Sequence, residues 1–144
     1  MRTKLWVGVL LLIATASLSW LAAQTQRREG TLYMLITSDD PWRVEAALSL
    51  ATRAQERGYR VIVHLHARGV KIANKHAHRA SPELVNAQKQ LQSLLQKGVQ
   101  VYVCPGNSRR AGMKVPDDWI SGVSSGSPEV IDLMMAPNTK VISY

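Results

Sequence analysis

TLYMLITSDDPWRVEAALSLATRAQERGYRVIVHLH, running from Thr31 to His66, contains the whole grammar of the fold. TLYMLIT is a short apolar run stopped by SDDP, which reads as a buried strand. Asp39 or Asp40 can then cap a helix, with Pro41 in its first turn, where a missing amide costs nothing. Val44, Ala47, Leu48, Ala51 and Ala54 recur at three- and four-residue spacing until Gly58, so one face of that helix is apolar. YRVIVHLH, from Tyr59 to His66, follows as a second strand. A strand, a one-faced helix and another strand within 36 residues predict a βαβ unit.

The rest of the chain repeats the pattern. After a loop of Lys, His and Asn from Ala67 to Ala80, Ser81-Pro82-Glu83 opens a second helix, with the acid near the positive end of its dipole. Its stripe is Leu84, Ala87, Leu91, Leu94 and Leu95, and Gly98 ends it. VQVYVC is the third strand. A fourth is expected near Trp119–Ser124, a last helix at Ser127-Pro128-Glu129, and a fifth strand in TKVISY. Apolar, β-branched strands alternating with helices predict an α/β fold, a three-layer α/β/α sandwich on a mainly parallel five-stranded sheet. The expected winding is flavodoxin-like, order 2-1-3-4-5. Ligands in such folds gather at the carboxyl ends of the strands, near the point where strand order reverses.

Ahead of this domain, residues 31–144, stand a polar linker, 24–30, and the leader MRTKLWVGVLLLIATASLSWLAAQ. The leader has a basic start and an apolar run from Leu5 to Ala23. That is the composition of an export signal, and the run is also about long enough to span a bilayer. A cleaved signal and an uncleaved anchor both fit, and both place the domain in the periplasm or otherwise outside the inner membrane. The formal charge is +8, or +6 without Arg2 and Lys4, and its cations are scattered without interleaved aromatics. A nucleic-acid partner is disfavoured. SDDPWR stands where a phosphate-binding glycine loop would be, and there is no GxSxG elbow. Ser124, Ser125 and Ser127 read as turn and cap residues.

One cysteine, Cys104, is present. It closes the third strand, ahead of Pro105 and Gly106, where a ligand or partner can reach it. A dithiol mechanism within the chain is excluded. A thiolate there would draw on backbone amides of a following turn and on Arg109 and Arg110, whereas a packed thiol would be a small hydrophobe. His64 and His66 point to one side of their strand and, with Cys104, offer a weak candidate metal set. His76 and His78 form a second His-x-His pair. Asp39 and Asp40 are candidate acid or base groups, and more simply caps.

These residues resemble the DsrE/DsrF-like family, which includes the TusD-type subunits of bacterial sulfur relays. The resemblance covers Leu32–Tyr144 and is most specific in KGVQVYVCPGNSRRAGM, where Cys104 takes the cysteine position and Arg110 and Gly112 resemble the turn after it. HARGVKIANKHA, with Gly69 and Asn74, resembles the family's loop near the cysteine, and KVISY its last strand. The resemblance implies homo- or hetero-oligomers, no cofactor, and a cysteine that holds sulfane sulfur as a persulfide. Sulfur donor and acceptor proteins, or small sulfane-sulfur compounds, would be the partners. Arg109, Arg110 and His66 would then stabilise the thiolate or an anionic donor. Two features depart from the pattern: relay members of this kind act in the cytoplasm, and Pro105-Gly106-Asn107 predicts a weakened helical turn after the cysteine. A non-catalytic binding module of the same fold and a periplasmic metal-binding protein are the competing readings. Trp42, Trp119, Met113 and Met134-Met135 exceed the obvious needs of a small core, and point to self-association if they are not packed inside.

Overall fold

A computed structural model describes residues 28–144. The apolar run of the leader lies outside the described residues, as do Arg2 and Lys4; among the described residues no helix is long and apolar enough to cross a membrane. The elements are β1 (Thr31–Ile36), α1 (Pro41–Glu56), β2 (Arg60–Leu65), a 3₁₀ segment (Ala67–Ala73), the single turn α2 (Ala77–Ala80), a 3₁₀ turn (Pro82–Leu84), α3 (Val85–Gln96), β3 (Gln100–Val103), α4 (Pro105–Arg110), β4 (Ser124–Ser125), α5 (Glu129–Met135) and β5 (Thr139–Ser143).

All four strand pairings are parallel, as expected for βα repeats. The order, however, is β4-β3-β2-β1-β5, which corrects the flavodoxin-like winding. The chain steps from β1 outward to β4 in one direction, then crosses back to place β5 on the free side of β1. Hydrophobicity explains the arrangement. The apolar strands β1, β2 and β3 take the middle, and the polar SS of β4 and TKVIS of β5 take the edges. The reversal therefore lies between β1 and β5, two strands away from Cys104. Its carboxyl end is closed, because Thr37 donates its amide and its hydroxyl to the carbonyl of Tyr144, each at 2.7 Å.

One face of the sheet carries Met34, Ile36, Val61, Val63, Leu65, Val101 and Val103, which pack on Val44, Ala47, Leu48 and Ala51 of α1 and on Ala87, Leu91 and Leu94 of α3. Asp40 is the cap, its Oδ1 accepting the amide of Arg43 at 3.0 Å, and Pro41 occupies the first turn. Gly58 and Gly98 stop the two helices with φ of +84° and +80°, a region costly for other residues. The opposite face carries Tyr33, Ile62 and His64, with Val141 in register beside Tyr33. The return crossing to β5 runs opposite in direction to the β1-to-β3 crossovers, so the right-handed rule puts α5 on this second face. With only seven residues, α5 covers it thinly.

Trp119 and Met113 are in the core, as the packing reading requires. Trp42, at 86% exposure, and Met135, at 79%, are not. The fourth strand begins at Ser124, where the expected segment ended, because Trp119 and Ile120 are drawn inward instead. Ala73 accepts the amide of Ile120, and Asn74 bridges to Trp119. The expected 67–80 loop is mostly 3₁₀ and helical turn.

Candidate functional site

The parallel register brings Ile36, Leu65, Val103 and Ser125 to one level. One residue further on, three amides each bond to the last carbonyl of the neighbouring strand: His66 to Ile36 at 2.9 Å, Cys104 to Leu65 at 3.0 Å, and Gly126 to Val103 at 2.8 Å. His66, Cys104 and Gly126 thus stand in a row along the carboxyl ends of the strands. The fold brings Cys104 beside the end of β2, with His66 exposed next to it.

Cys104 is half-buried and reduced, packed on one side against the core cluster. It is the cap of α4, with Pro105 in the first turn; the helix forms in spite of Gly106 because Pro105 suits that position. The expected source of thiolate support is different, however. None of the amides of α4 bonds the Cys104 side chain; its carbonyl is the group that accepts, from the amide and the hydroxyl of Ser108, both at 3.0 Å. The sulfur instead receives the side-chain amide of Asn107, Nδ2 to Sγ at 3.2 Å. Asn107 stands three residues after the cap, the spacing of a capping box. That spacing is the signal by which the sequence could have shown it.

Ser108 is fully buried, and its Oγ also accepts the indole N–H of Trp119 at 3.0 Å. Trp119 thereby fastens α4 to the segment that bridges to Asn74. Asn74 itself braces its loop, its Oδ1 accepting the amide of His76 at 2.9 Å while Gln88 donates to its carbonyl at 2.7 Å. Gly69 is a packing residue: a Cβ there would lie 2.2 Å from the carbonyl oxygen of Ile36. Gly112, with φ +82°, turns the chain after α4. Arg109 and Arg110 occupy the last turn of that helix, exposed and in no ion pair among the described residues.

His64 lies two residues inside the row and is 6% exposed. Its Nδ1 is 2.8 Å from the Tyr33 hydroxyl, and its Nε2 has no partner among the described residues and faces Gly126, where a Cβ would come within 3.0 Å of it. Burial, and secondarily the neighbouring His66, push the His64 pKa down from 6.5 to about 4. Burial also pushes the Tyr33 hydroxyl up to about 12, with Tyr102 adding to the effect. This is a neutral buried pair. Among the described residues no three His, Cys, Asp or Glu side chains come together to hold a metal ion, so the His64, His66 and Cys104 set does not assemble.

Beside the row, Asp39 pairs with Lys71 at 2.7 Å and Arg68 at 3.1 Å. Burial pushes its carboxyl up, but the Lys71 hydrogen bond and the two cations outweigh this and hold it below the ordinary range. Asp39 ties the 3₁₀ segment to the end of β1, and Asp40 is spent as a cap, so neither is placed as a general base toward Cys104.

A profile of the DsrE/DsrF-like family matches residues 32–143. No curated protein matches the chain by sequence. Solved structures of similar fold include a protein of unknown function from Methanobacterium thermoautotrophicum, at TM-score 0.62 and 20% identity over 81% of this chain and 100% of that one. The ychN protein of E. coli is similar at TM-score 0.64 and 18% identity, again over 81% and 100%. A conserved protein of unknown function from Bacteroides thetaiotaomicron is similar at TM-score 0.55 and 18% identity, over 79% of this chain and 94% of that one.

Proposed function

This chain belongs to the DsrE/DsrF-like family, and from that premise we propose that it is a sulfur carrier, holding sulfane sulfur as a persulfide on Cys104 and passing it to a partner. The observation that carries the reading is the Asn107 amide 3.2 Å from Sγ, on a half-buried cysteine at the carboxyl ends of the strands. An N–H donor aimed at sulfur fixes its orientation toward an incoming donor, and the half-buried setting excludes much of the competing water.

In the first step the Cys104 thiolate attacks the outer sulfur of a donor persulfide, R–S–SH. A new S–S bond forms to Cys104, the old one breaks, and R–S⁻ leaves with the electron pair. In the second step an acceptor thiolate attacks the outer sulfur of Cys104–S–SH, takes it, and regenerates the Cys104 thiolate. No net oxidation occurs, so one cysteine suffices. His66 exchanges protons with the persulfide, and Arg109 and Arg110 attract anionic donors at longer range. The donors are partner proteins or small sulfane-sulfur compounds. The composition of residues 1–23 supports an exported domain, released or tethered to the inner membrane.

The test is intact-mass spectrometry after incubation with polysulfide, beside a Cys104→Ser control. The expected result is a gain of one sulfur, reversed by reductant and absent from the control. An unmodified, alkylation-resistant thiol in the folded protein would overturn the reading and leave a binding module, which the packing of Cys104 against the core would then explain.

A further inference from the structure

The amino-terminal ends of the strands carry a feature that sulfur transfer does not use. A cleft of about 800 Å³ opens there, lined by the apolar Leu32, Leu50 and Ala54 and by three cations, Arg53 of α1, Arg57 just past its end and Lys140 of β5. Arg28 stands beside it, its guanidinium 5.5 Å over the ring of Tyr59 and its backbone amide bonded to the carbonyl of Gly58 at 3.1 Å. These four cations are exposed, and none is in an ion pair among the described residues. Among the described residues Glu29 is the one acid lining the cleft.

The sequence says what faces this end. Arg28 is where the chain enters the domain, and only Gln24–Arg27 separate it from the apolar run that closes at Ala23. Five residue steps reach at most about 18 Å. If that run is in a bilayer, the basic end cannot be farther from the lipid surface than this, and Cys104 lies beyond it by roughly the length of β1, about 20 Å. We propose that the Arg28, Arg53, Arg57 and Lys140 end is a docking surface for an anionic lipid bilayer, which holds the domain upright with Cys104 turned outward toward its partners. The proposal rests on tethering by residues 5–23 and is independent of the sulfur chemistry. Each basic side chain brought to such a surface raises its occupancy about fivefold. The Debye length, about 10 Å at 0.1 M salt and about 3 Å at 1 M, makes the contact salt-sensitive.

The experiment uses the full chain in vesicles, with flotation on neutral phosphatidylcholine reading the tether alone. Lysine acetylation followed by mass spectrometry then reads the contact, with exposed Lys89 on α3 as internal reference. With anionic phosphatidylglycerol present, acetylation of Lys140 is expected to slow about fivefold relative to Lys89. The protection should vanish at about 1 M salt and in the Arg53→Gln/Arg57→Gln double variant, whose exposed positions leave the fold intact. Three results overturn the proposal: an unchanged Lys140 to Lys89 ratio, protection equal on neutral vesicles, or protection already complete in detergent. The last would assign the cleft to a second copy or to the chain's own first residues. Loss of flotation on neutral vesicles is a fourth such result, since it removes the tether on which the proposal rests, while leaving the Cys104 reading untouched.

Discussion

An amide proton directed at a sulfur atom fixes where that sulfur points, and at Cys104 that proton comes from the Asn107 side chain. Asn107→Ala removes it without touching the core. Since one such bond contributes about 1 kcal/mol, alkylation of Cys104 by iodoacetamide at fixed pH is expected to slow about fivefold. An unchanged rate would mean that Asn107 only shapes the turn. Position alone makes Cys104 legible in the sequence, as the one thiol at a strand end. Asn107 is legible only by its spacing from the cap, and its value depends on α4 forming after Pro105 and Gly106, a helix that propensity argues against. At His64 the chemistry is titration. Its folded pKa, about 4 against 6.5, means the unfolded chain takes up a proton in that window that the folded chain does not. Stability is therefore complete above pH 6.5 and declines as pH falls toward 4, by on the order of 3 kcal/mol. Urea midpoints at neutral pH and near pH 4 should differ accordingly, and His64→Gln should flatten the difference while lowering stability at neutral pH through the stranded Tyr33 hydroxyl.

At the scale of elements, the apolar stripes and glycine stops of α1 and α3 are where their sequences put them, because burial of one face and a positive-φ terminator are local properties, whereas the opening of α3 is not: Ser81 makes no side-chain cap, and a 3₁₀ turn, Pro82–Leu84, precedes the helix at Val85. What happens between β2 and α3 was not legible. The polar loop from Ala67 becomes a 3₁₀ segment because Gly69 lets its backbone rest on the last carbonyl of β1, with the Gly69 amide bonded to Thr37. Only the partner strand reveals that contact. Gly69→Ala would drive a methyl into the Ile36 carbonyl and is expected to cost about 3 kcal/mol, read as a lowered urea midpoint with the m-value unchanged. Full stability in that variant would show that the segment can lift away freely. β4 starts later than its sequence suggests for a related reason: the most apolar residues of its region, Trp119 and Ile120, serve the core and the anchoring of α4 instead of the sheet.

For the whole molecule, composition decided the layers and the parallel sheet but not the strand order, since a helix of given length can cross to either side of its strand. The order has a consequence for assembly. Returning the chain by α5 leaves one sheet face under a seven-residue helix, with Ile131 and Met135 one turn apart on its outside at 60% and 79% exposure, and Val141 nearby at 44%. Light scattering is expected to show self-association, and Ile131→Asp/Met135→Asp to shift the protein toward monomer; a wild-type monomer at working concentration would argue against assembly through this face. The indole of Trp119, buried and bonded to the serine that also caps onto the Cys104 carbonyl, has a further consequence. Among the described residues the other tryptophan, Trp42, is open to solvent and within reach of a collisional quencher such as iodide. In a Trp6→Phe/Trp20→Phe variant with the Trp42 emission quenched, the remaining blue-shifted fluorescence comes from a chromophore wired to the cysteine helix. Loading and unloading of sulfur would then be visible as an optical signal in real time, without any label on the protein.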